Sequence, residues 1–257
     1  MTPVRVAIAG ASGRMGLALL EAAASTEGVA LGAAVDLSAS TWGGVSIGTD
    51  VAEALRNADV LVDFTRPAGT LQHVRLCVEA KRAIVIGTTG FEPAQLAEIR
   101  VAAKSIPIVM APNMSVGVNV ALRLVELAAR SLGPDYDVEV FEMHHRKKVD
   151  APSGTALKLG EVAATARGAT LEKDGVFERY GQTGERRAGT IGFSAARGGD
   201  VVGDHTVYFA GPGERIEITH RSSSRANYAQ GAMRAAKFVA GRAPGLYDMQ
   251  DVLGLRA

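Results

Sequence analysis

The chain has 257 residues, 47% of them hydrophobic and 21% charged, a composition that excludes extensive intrinsic disorder. Lys+Arg 28 against Asp+Glu 27 leaves a net charge of +1, which argues against a protein built to coat nucleic acid or an anionic membrane. Cys77 is the single cysteine, so no intramolecular disulfide and no multi-cysteine metal site can form, and a reducing cytoplasmic setting fits.

The start runs from Met1 directly into a strand-like segment without a charged region and apolar stretch, which predicts no secretory leader. No apolar run approaches the roughly 18–20 residues of a membrane helix. Val4–Ala9 reads as a strand ending at Gly10, and Arg14–Ser25 as a helix with Met15, Leu19, Leu20 and Ala23 on one side. Val29–Val35 is a second strand ending at Asp36. Helix and strand then alternate: Val51–Arg56, Asp59–Phe64, Pro67–Ala80, Ala83–Ile86, Pro93–Lys104 and Ile106–Met110. Short apolar strands alternating with helices predict a doubly wound parallel sheet covered on both faces. After residue 112 the pattern changes. A long helix over Val116–Ser131 precedes a strand over Tyr136–Met143 and a helix over Ser153–Ala166 that Ser153 caps. A polar stretch, Arg167–Arg187, leads to three strand-like runs at Gly189–Ala195, His205–Ala210 and Glu214–His220. These predict an α+β domain with a mixed sheet. A last helix over Arg225–Val239 and a short tail follow.

Two motifs carry chemistry. The first, Gly10-Ala11-Ser12-Gly13-Arg14-Met15-Gly16, follows a strand and opens a helix, the context of a dinucleotide-binding turn. Gly10 permits the tight turn, Gly13 lets a pyrophosphate approach the backbone, and Gly16 lets the helix pack close. The spacing alone fits an ordinary glycine-rich βα turn equally well. Asp36 favours the dinucleotide reading, because it ends the second strand, where a carboxylate accepts from the adenosine ribose hydroxyls of NAD. The second motif is Glu142-Met143-His144-His145-Arg146-Lys147-Lys148-Val149-Asp150-Ala151-Pro152-Ser153-Gly154-Thr155. A basic loop of this kind is commonly a solvated face. Adjacent histidines have poor ligand spacing, which argues against a metal. A helix opening at Ser153-Gly154-Thr155 beside His and Lys is instead suited to a carboxylate and to proton transfer. Gly87-Thr88-Thr89-Gly90 and Ala111-Pro112-Asn113-Met114 follow strands of the parallel sheet, where ligands bind. Cys77 lies in an apolar helical pattern and reads as core, and His205 and His220 as structural.

At these residues the sequence resembles the dihydrodipicolinate (4-hydroxy-tetrahydrodipicolinate) reductases of lysine and diaminopimelate synthesis. VAIAGASGRMG at the start, DFTRP at 63–67, IGTTG at 86–90, APNMSVGVN at 111–119 and HHRKKVDAPSGTA at 144–156 carry the resemblance. So do ARGGDVVGDHTV at 196–207 and ERIEITHRSSSR at 214–225. The resemblance implies a dinucleotide-binding (Rossmann) domain over 1–112 and 225–257, and a substrate-binding and oligomerisation domain over 113–224, closing on each other about hinges near 112–116 and 223–226. It implies His144 and Lys148 as proton-transfer residues, His145, Gly154 and Thr155 as substrate contacts, and Gly10, Ala11, Ser12, Gly13, Arg14, Met15 and Asp36 as cofactor contacts. Gly87, Thr88, Thr89, Ala111, Pro112, Asn113 and Met114 would line the nicotinamide end. A homotetramer acting on a small dicarboxylate in the cytoplasm is expected. Leu37 stands where members that use NADPH well carry a basic residue, so NADH is the expected preferred cofactor, with NADPH possible through Arg14. Rival readings are a dehydrogenase of another substrate class, a sensor that holds NAD(H) without turnover, and a nucleic-acid binder. The HHRKKVDAPSG loop argues against the first, His144 and Lys148 against the second, and the net charge against the third.

Overall fold

The computed structural model describes residues 2–224 and 226–256. Arg225, where the last helix is expected to open, lies outside the described residues with Met1 and Ala257. In chain order the elements are β1 (Val4–Ala9), α1 (Arg14–Ser25), β2 (Val29–Val35), β3 (Ser40–Trp42), β4 (Val45–Ile47), α2 (Val51–Arg56), β5 (Val60–Asp63), α3 (Pro67–Ala80), β6 (Ala83–Ile86), α4 (Pro93–Ala102) and β7 (Pro107–Met110). There follow α5 (Val116–Leu132), β8 (Asp137–His144), α6 (Gly154–Ala166), α7 (Leu171–Asp174), β9 (Gly175–Val176), β10 (Ile191–Arg197), β11 (Gly203–Gly211) and β12 (Glu214–Ser222), then α8 (Ala226–Val239), β13 (Gly245–Tyr247) and α9 (Met249–Leu253). The chain divides into two compact units, Met1–Val116 with Arg225–Ala257, and Gly117–Ser224.

The first unit is a parallel sheet in the order β13-β7-β6-β5-β1-β2. Its strands are mostly apolar because both faces are covered; Arg5 in β1 and Asp63 at the end of β5 are the charged residues. Val6, Ile8, Val60, Val62 and Val85 join α1, α8 and α9 in one core. Ala7, Ala9, Leu61, Ile84 and Ile86 point the other way and join α2, α3 and α4 in a second. The period-2 alternation of each strand therefore feeds both cores. From β1 the chain winds outward to β2 and then crosses to β5 on β1's other side, which makes the β1/β5 boundary the switch point where such sheets bind ligands. Cys77 is fully buried in the second core, and burial with the nearby Asp63 charge pushes its thiol up. Three short pieces lie outside the elements read from sequence. The β3–β4 hairpin occupies the Gly/Ser-rich stretch after β2. In the tail, β13 adds a sixth strand beside β7, and α9 packs on the first core.

Asp63 closes β5 and is fully buried. Its Oδ1 accepts from the Thr65 amide (2.8 Å) and hydroxyl (2.7 Å), and its Oδ2 lies 2.7 Å from His73 Nδ1 on α3. The Thr88 hydroxyl, in the loop after β6, donates to Asp63 at 3.4 Å and accepts from Thr70 at 2.9 Å. One carboxylate thus ties the loops after β5 and β6 to α3.

The second unit is a mixed sheet in the order β12-β11-β8-β10-β9. Strand β10 runs parallel to β8 and β9, and β11 antiparallel to β8 and β12. One face presents Val138, Val140, Ile191, Phe193, Val207 and Phe209 to α5 and α6. A Cβ at Gly160 of α6 would stand 2.3 Å from the Phe193 ring, so glycine sets how closely this helix approaches the sheet. The polar stretch 167–187 contains α7 and β9, which are too short to carry a period.

Removing the buried Asp63 carboxylate leaves three hydroxyl or amide donors and His73 without their acceptor. Asp63→Ala is expected to lower the unfolding free energy by about 3 kcal/mol, as for other broken buried charge networks, in urea unfolding followed by circular dichroism. A loss below about 1 kcal/mol would contradict this account of the loops.

Candidate functional site

The turn after β1 is shaped by what its glycines exclude. Gly10 has φ +69°, and a side chain there would meet Thr65 Cγ2 at 2.9 Å. A Cβ on Gly16 would lie 2.1 Å from the Gly10 carbonyl oxygen, so α1 packs against the turn only with glycine at this position. Gly13 is the N-cap of α1 and supplies no side-chain cap, which leaves the first turn of the helix open to an anion. Ser12 N–H donates to Asp36 Oδ2 at 2.8 Å, and Leu37 N–H to Asp36 Oδ1 at 2.7 Å. Burial opposes ionisation of Asp36, but these backbone bonds and the Ser12 side chain hold its carboxyl below the usual range. The glycine turn and the strand-end acid, separated in sequence, are joined in space. The cradle fits a dinucleotide, with phosphates at the start of α1 and a ribose at Asp36. Leu37 is 97% exposed and brings no charge.

The remaining residues expected at the cofactor follow the neighbouring strands β6 and β7, so the fold assembles Gly87, Thr88, Thr89, Ala111, Pro112, Asn113 and Met114 on the same sheet edge. Their side chains divide. Thr89 and Pro112 are exposed, whereas Thr88, Ala111 and Met114 are buried. The Thr88 hydroxyl is engaged with Asp63 and Thr70, and Met114 belongs to the first core. Ala11 is also a core side chain. Gly87 is held by packing, since a Cβ there would lie 2.1 Å from the Phe64 ring.

In the second unit the basic motif begins on the last turns of β8. Glu142 and His144 both point to the helix-covered face, and the paired strands bring Arg197 and His205 beside them: Arg197 is registered with His144, and His205 with Glu142. Glu142 is 1% exposed and accepts from Arg197 Nη1 and Nη2, each at 2.8 Å, and from the Ser153 amide at 3.1 Å. His144 Nδ1 lies 2.6 Å from Glu142 Oε2. Burial opposes ionisation of Glu142, but the bonds from Arg197 and His144 and their charges hold the carboxyl below the usual range. Arg197 also donates to the Asp150 carbonyl at 2.6 Å, so it anchors the loop as well as the acid.

Ser153 is the N-cap of α6 and accepts from the Ala156 amide at 3.2 Å, as its sequence context predicts. Its Oγ also lies 3.0 Å from His205 Nε2. The His144 and His205 rings meet edge-to-face with centroids 5.0 Å apart. Gly154, exposed, and Thr155 open the helix. Lys148 Nζ pairs with Asp150 Oδ1 at 2.8 Å. His145 Nδ1 is buried and has no partner among the described residues. His144, His145, Lys148 and the start of α6 thus converge at the carboxyl end of β8. Glu142, Arg197 and His205 complete the cluster, and the sequence reading gave them no role in it. Glu142 stands inside the motif itself. Arg197 lies 55 positions away, and only strand register joins the two. The described residues hold no group of three or more His, Cys, Asp or Glu arranged to bind a metal.

Residues 4–114 match the family model described as dihydrodipicolinate reductase, N-terminus, and residues 117–253 the model for its C-terminus. The chain belongs to the dihydrodipicolinate reductase family. It is 58% identical to the 4-hydroxy-tetrahydrodipicolinate reductase of Bordetella pertussis over 99% of this chain and 98% of that one. It is also 58% identical to the enzyme of that name from Aromatoleum aromaticum, over 100% and 97%. A dipicolinate-bound dihydrodipicolinate reductase from Paenisporosarcina sp. TG-14 superposes with a TM-score of 0.80 at 25% identity, covering 97% of this chain and 99% of that one. More distant likeness, such as that to GenD2 in complex with NAD (TM-score 0.59, 16% identity), shows the fold alone.

Within this family member, burial is the largest influence on His205, followed by the charge of His144, and it pushes the imidazole down to about 4 against an ordinary 6.5. Glu142 acts the other way, while His220 and Lys148 add to the depression. Between these pH values the unfolded chain binds the proton and the folded chain does not. Stability is therefore full above pH 6.5 and declines as pH falls toward 4, by about 3 kcal/mol. A ring titration by NMR is expected to show His205 neutral at pH 5.5. An ordinary titration near 6.5 would contradict its burial beside His144.

Proposed function

We propose that the chain reduces 4-hydroxy-tetrahydrodipicolinate to tetrahydrodipicolinate, with loss of water, at the expense of NAD(P)H in lysine and diaminopimelate synthesis. The observation that carries this reading is the convergence of His144, Lys148 and the Ser153-capped start of α6 on one strand end. The substrate is a cyclic dicarboxylate, and this cluster offers cationic side chains and a helix N-terminus within one loop. The first turn of α6, through Gly154 and Thr155, binds one carboxylate with the helix dipole behind it. His145, next in the chain to His144, binds the ring or the second carboxylate.

A reduced nicotinamide, when bound, supplies the hydride. Gly10 to Met15 hold the phosphates and Asp36 the ribose hydroxyls. The loops after β6 and β7, Gly87–Thr89 and Ala111–Met114, line the ring. The conjugated substrate gains an electron pair with the hydride, and His144 or Lys148 delivers the matching proton. Lys148 is poised for this by release from Asp150, whose carboxyl the Lys148 bond holds below the usual range against the effect of burial. Arg146 and Lys147, both exposed, add positive potential that draws in the dianion.

Asp36 repels a ribose phosphate and Leu37 offers nothing to hold one, so NADH is the preferred cofactor and NADPH is accepted through the exposed Arg14. A homotetramer is the assembly; the face of the mixed sheet opposite α5 and α6 presents Phe141, 38% exposed, which supports an oligomeric contact there. The cytoplasm is the site of action, consistent with a buried unpaired cysteine and with no described helix long and apolar enough to cross a membrane.

The test is a coupled assay at 340 nm in which a synthase makes the substrate in place from pyruvate and aspartate semialdehyde. Oxidation of NADH is expected at about 1–10³ per second, and faster than that of NADPH. Leu37→Arg is expected to shift the cofactor ratio toward NADPH by about tenfold or more. No oxidation by protein that binds NADH would overturn the reductase reading; an unchanged ratio would overturn the placement of the ribose.

A further inference from the structure

We infer that Glu142 is a positioning residue that sets the proton-transfer nitrogen of His144, and that it locks this nitrogen in register with the carboxylate-binding start of α6. The inference rests on the reading of His144 as a proton-transfer residue. Nothing in the family comparison assigns Glu142 a role.

Glu142 accepts four hydrogen bonds from three residues. Two guanidinium nitrogens of Arg197 grip both of its oxygens, the Ser153 amide takes Oε1, and His144 Nδ1 takes Oε2. The carboxyl is ionised, and an ionised carboxylate only accepts. His144 Nδ1 therefore carries the hydrogen of their 2.6 Å bond, and whenever the ring is neutral its lone pair lies on Nε2. That nitrogen faces Gly203, where a Cβ would stand 2.9 Å away. Glycine at this position keeps a side chain off Nε2, the nitrogen fixed as the acceptor.

The same carboxylate holds the Ser153 amide, and Ser153 caps α6. A shift of Glu142 would move the imidazole and the helix start together. An apolar isostere would fill the space but hold neither, and an amide would present a donor to Arg197 or to Ser153. The arrangement is costly to build, since a buried carboxylate needs every partner it has. A purely structural role for Glu142 would require only the Arg197 pair and would not require His144 to share it.

E142Q and H144Q test this, singly and together, with E142D as the variant that keeps the charge. Thermal unfolding shows which variants fold, and ¹⁵N NMR of the ring nitrogens reports the His144 tautomer. The inference predicts that E142Q lowers kcat by about 10²-fold or more with KM for NADH unchanged. It predicts that His144 in E142Q populates the form with hydrogen on Nε2, and that E142Q costs nothing further in the H144Q background. E142D is predicted to retain the Nδ1–H form and to recover part of kcat. Should E142Q fail to fold, the E142D tautomer and rate decide alone. Wild-type kcat in E142Q, or loss of kcat with the tautomer unchanged, would overturn the inference. Full turnover in H144Q would overturn the underlying reading of the site, and so the two failures are told apart.

Discussion

The candidate site of the second unit depends on one buried carboxylate. Glu142 is almost fully excluded from water, and an isolated charge in that position would cost several kcal/mol. The cost is offset only because β8, β10 and α6 each send a donor to it: His144, Arg197 and the Ser153 amide. Those three elements are otherwise held by an ordinary apolar core of Val138, Val140, Ile191 and Phe193 under α5 and α6. The core brings the strands together, but the carboxylate fixes which side chains face which. Arg197 reaches one step further to the Asp150 carbonyl, so the loop that carries Lys148 is referenced to the same point.

The first unit uses a similar device at Asp63. A buried carboxylate at a strand end gathers Thr65, Thr88 and His73 and so fixes two of the loops that border the dinucleotide cradle. Asp36 repeats it in milder form, accepting two backbone amides where strand β2 meets the glycine turn. In each case an acid near the carboxyl end of a strand is satisfied by donors from neighbouring loops, joined at Asp63 by His73 of α3. Loops held this way are pre-organised, and less ordering is left to be done when a ligand binds.

Much of this was legible in the sequence. The β1 and β5–β7 runs are mostly apolar because both faces are covered, and that pattern, alternating with helices, reads directly as a doubly wound sheet. The mixed sheet followed from the succession of strands after residue 188. The glycine turn was ambiguous until Asp36 was placed beside it, and the structure joins them through one hydrogen bond. What escaped had little signal of its own. Strand β13 is three residues long and exists because β7 offers a free edge. Strand β9 has two residues, and β3 and β4 three each. Arg197 reads as the charged end of a strand, and its partner is fixed by register, which one sequence does not display. His205 was read as structural; it is buried, and it also touches the ring of His144. Thr88 and Met114 show the converse. Motif position names them for the cofactor; the structure shows that the Thr88 hydroxyl is bonded to Asp63 and Thr70 and that Met114 packs in the first core.

The most direct test of the account is to titrate dipicolinate, a rigid planar dianion, into ¹⁵N-labelled protein and follow backbone amides and histidine ring nitrogens. The account predicts shifts concentrated at Ser153, Gly154 and Thr155 and on the rings of His144 and His145, with Gly10–Arg14 unaffected until a nucleotide is added. Shifts confined to the glycine turn, or absent from the start of α6, would contradict it.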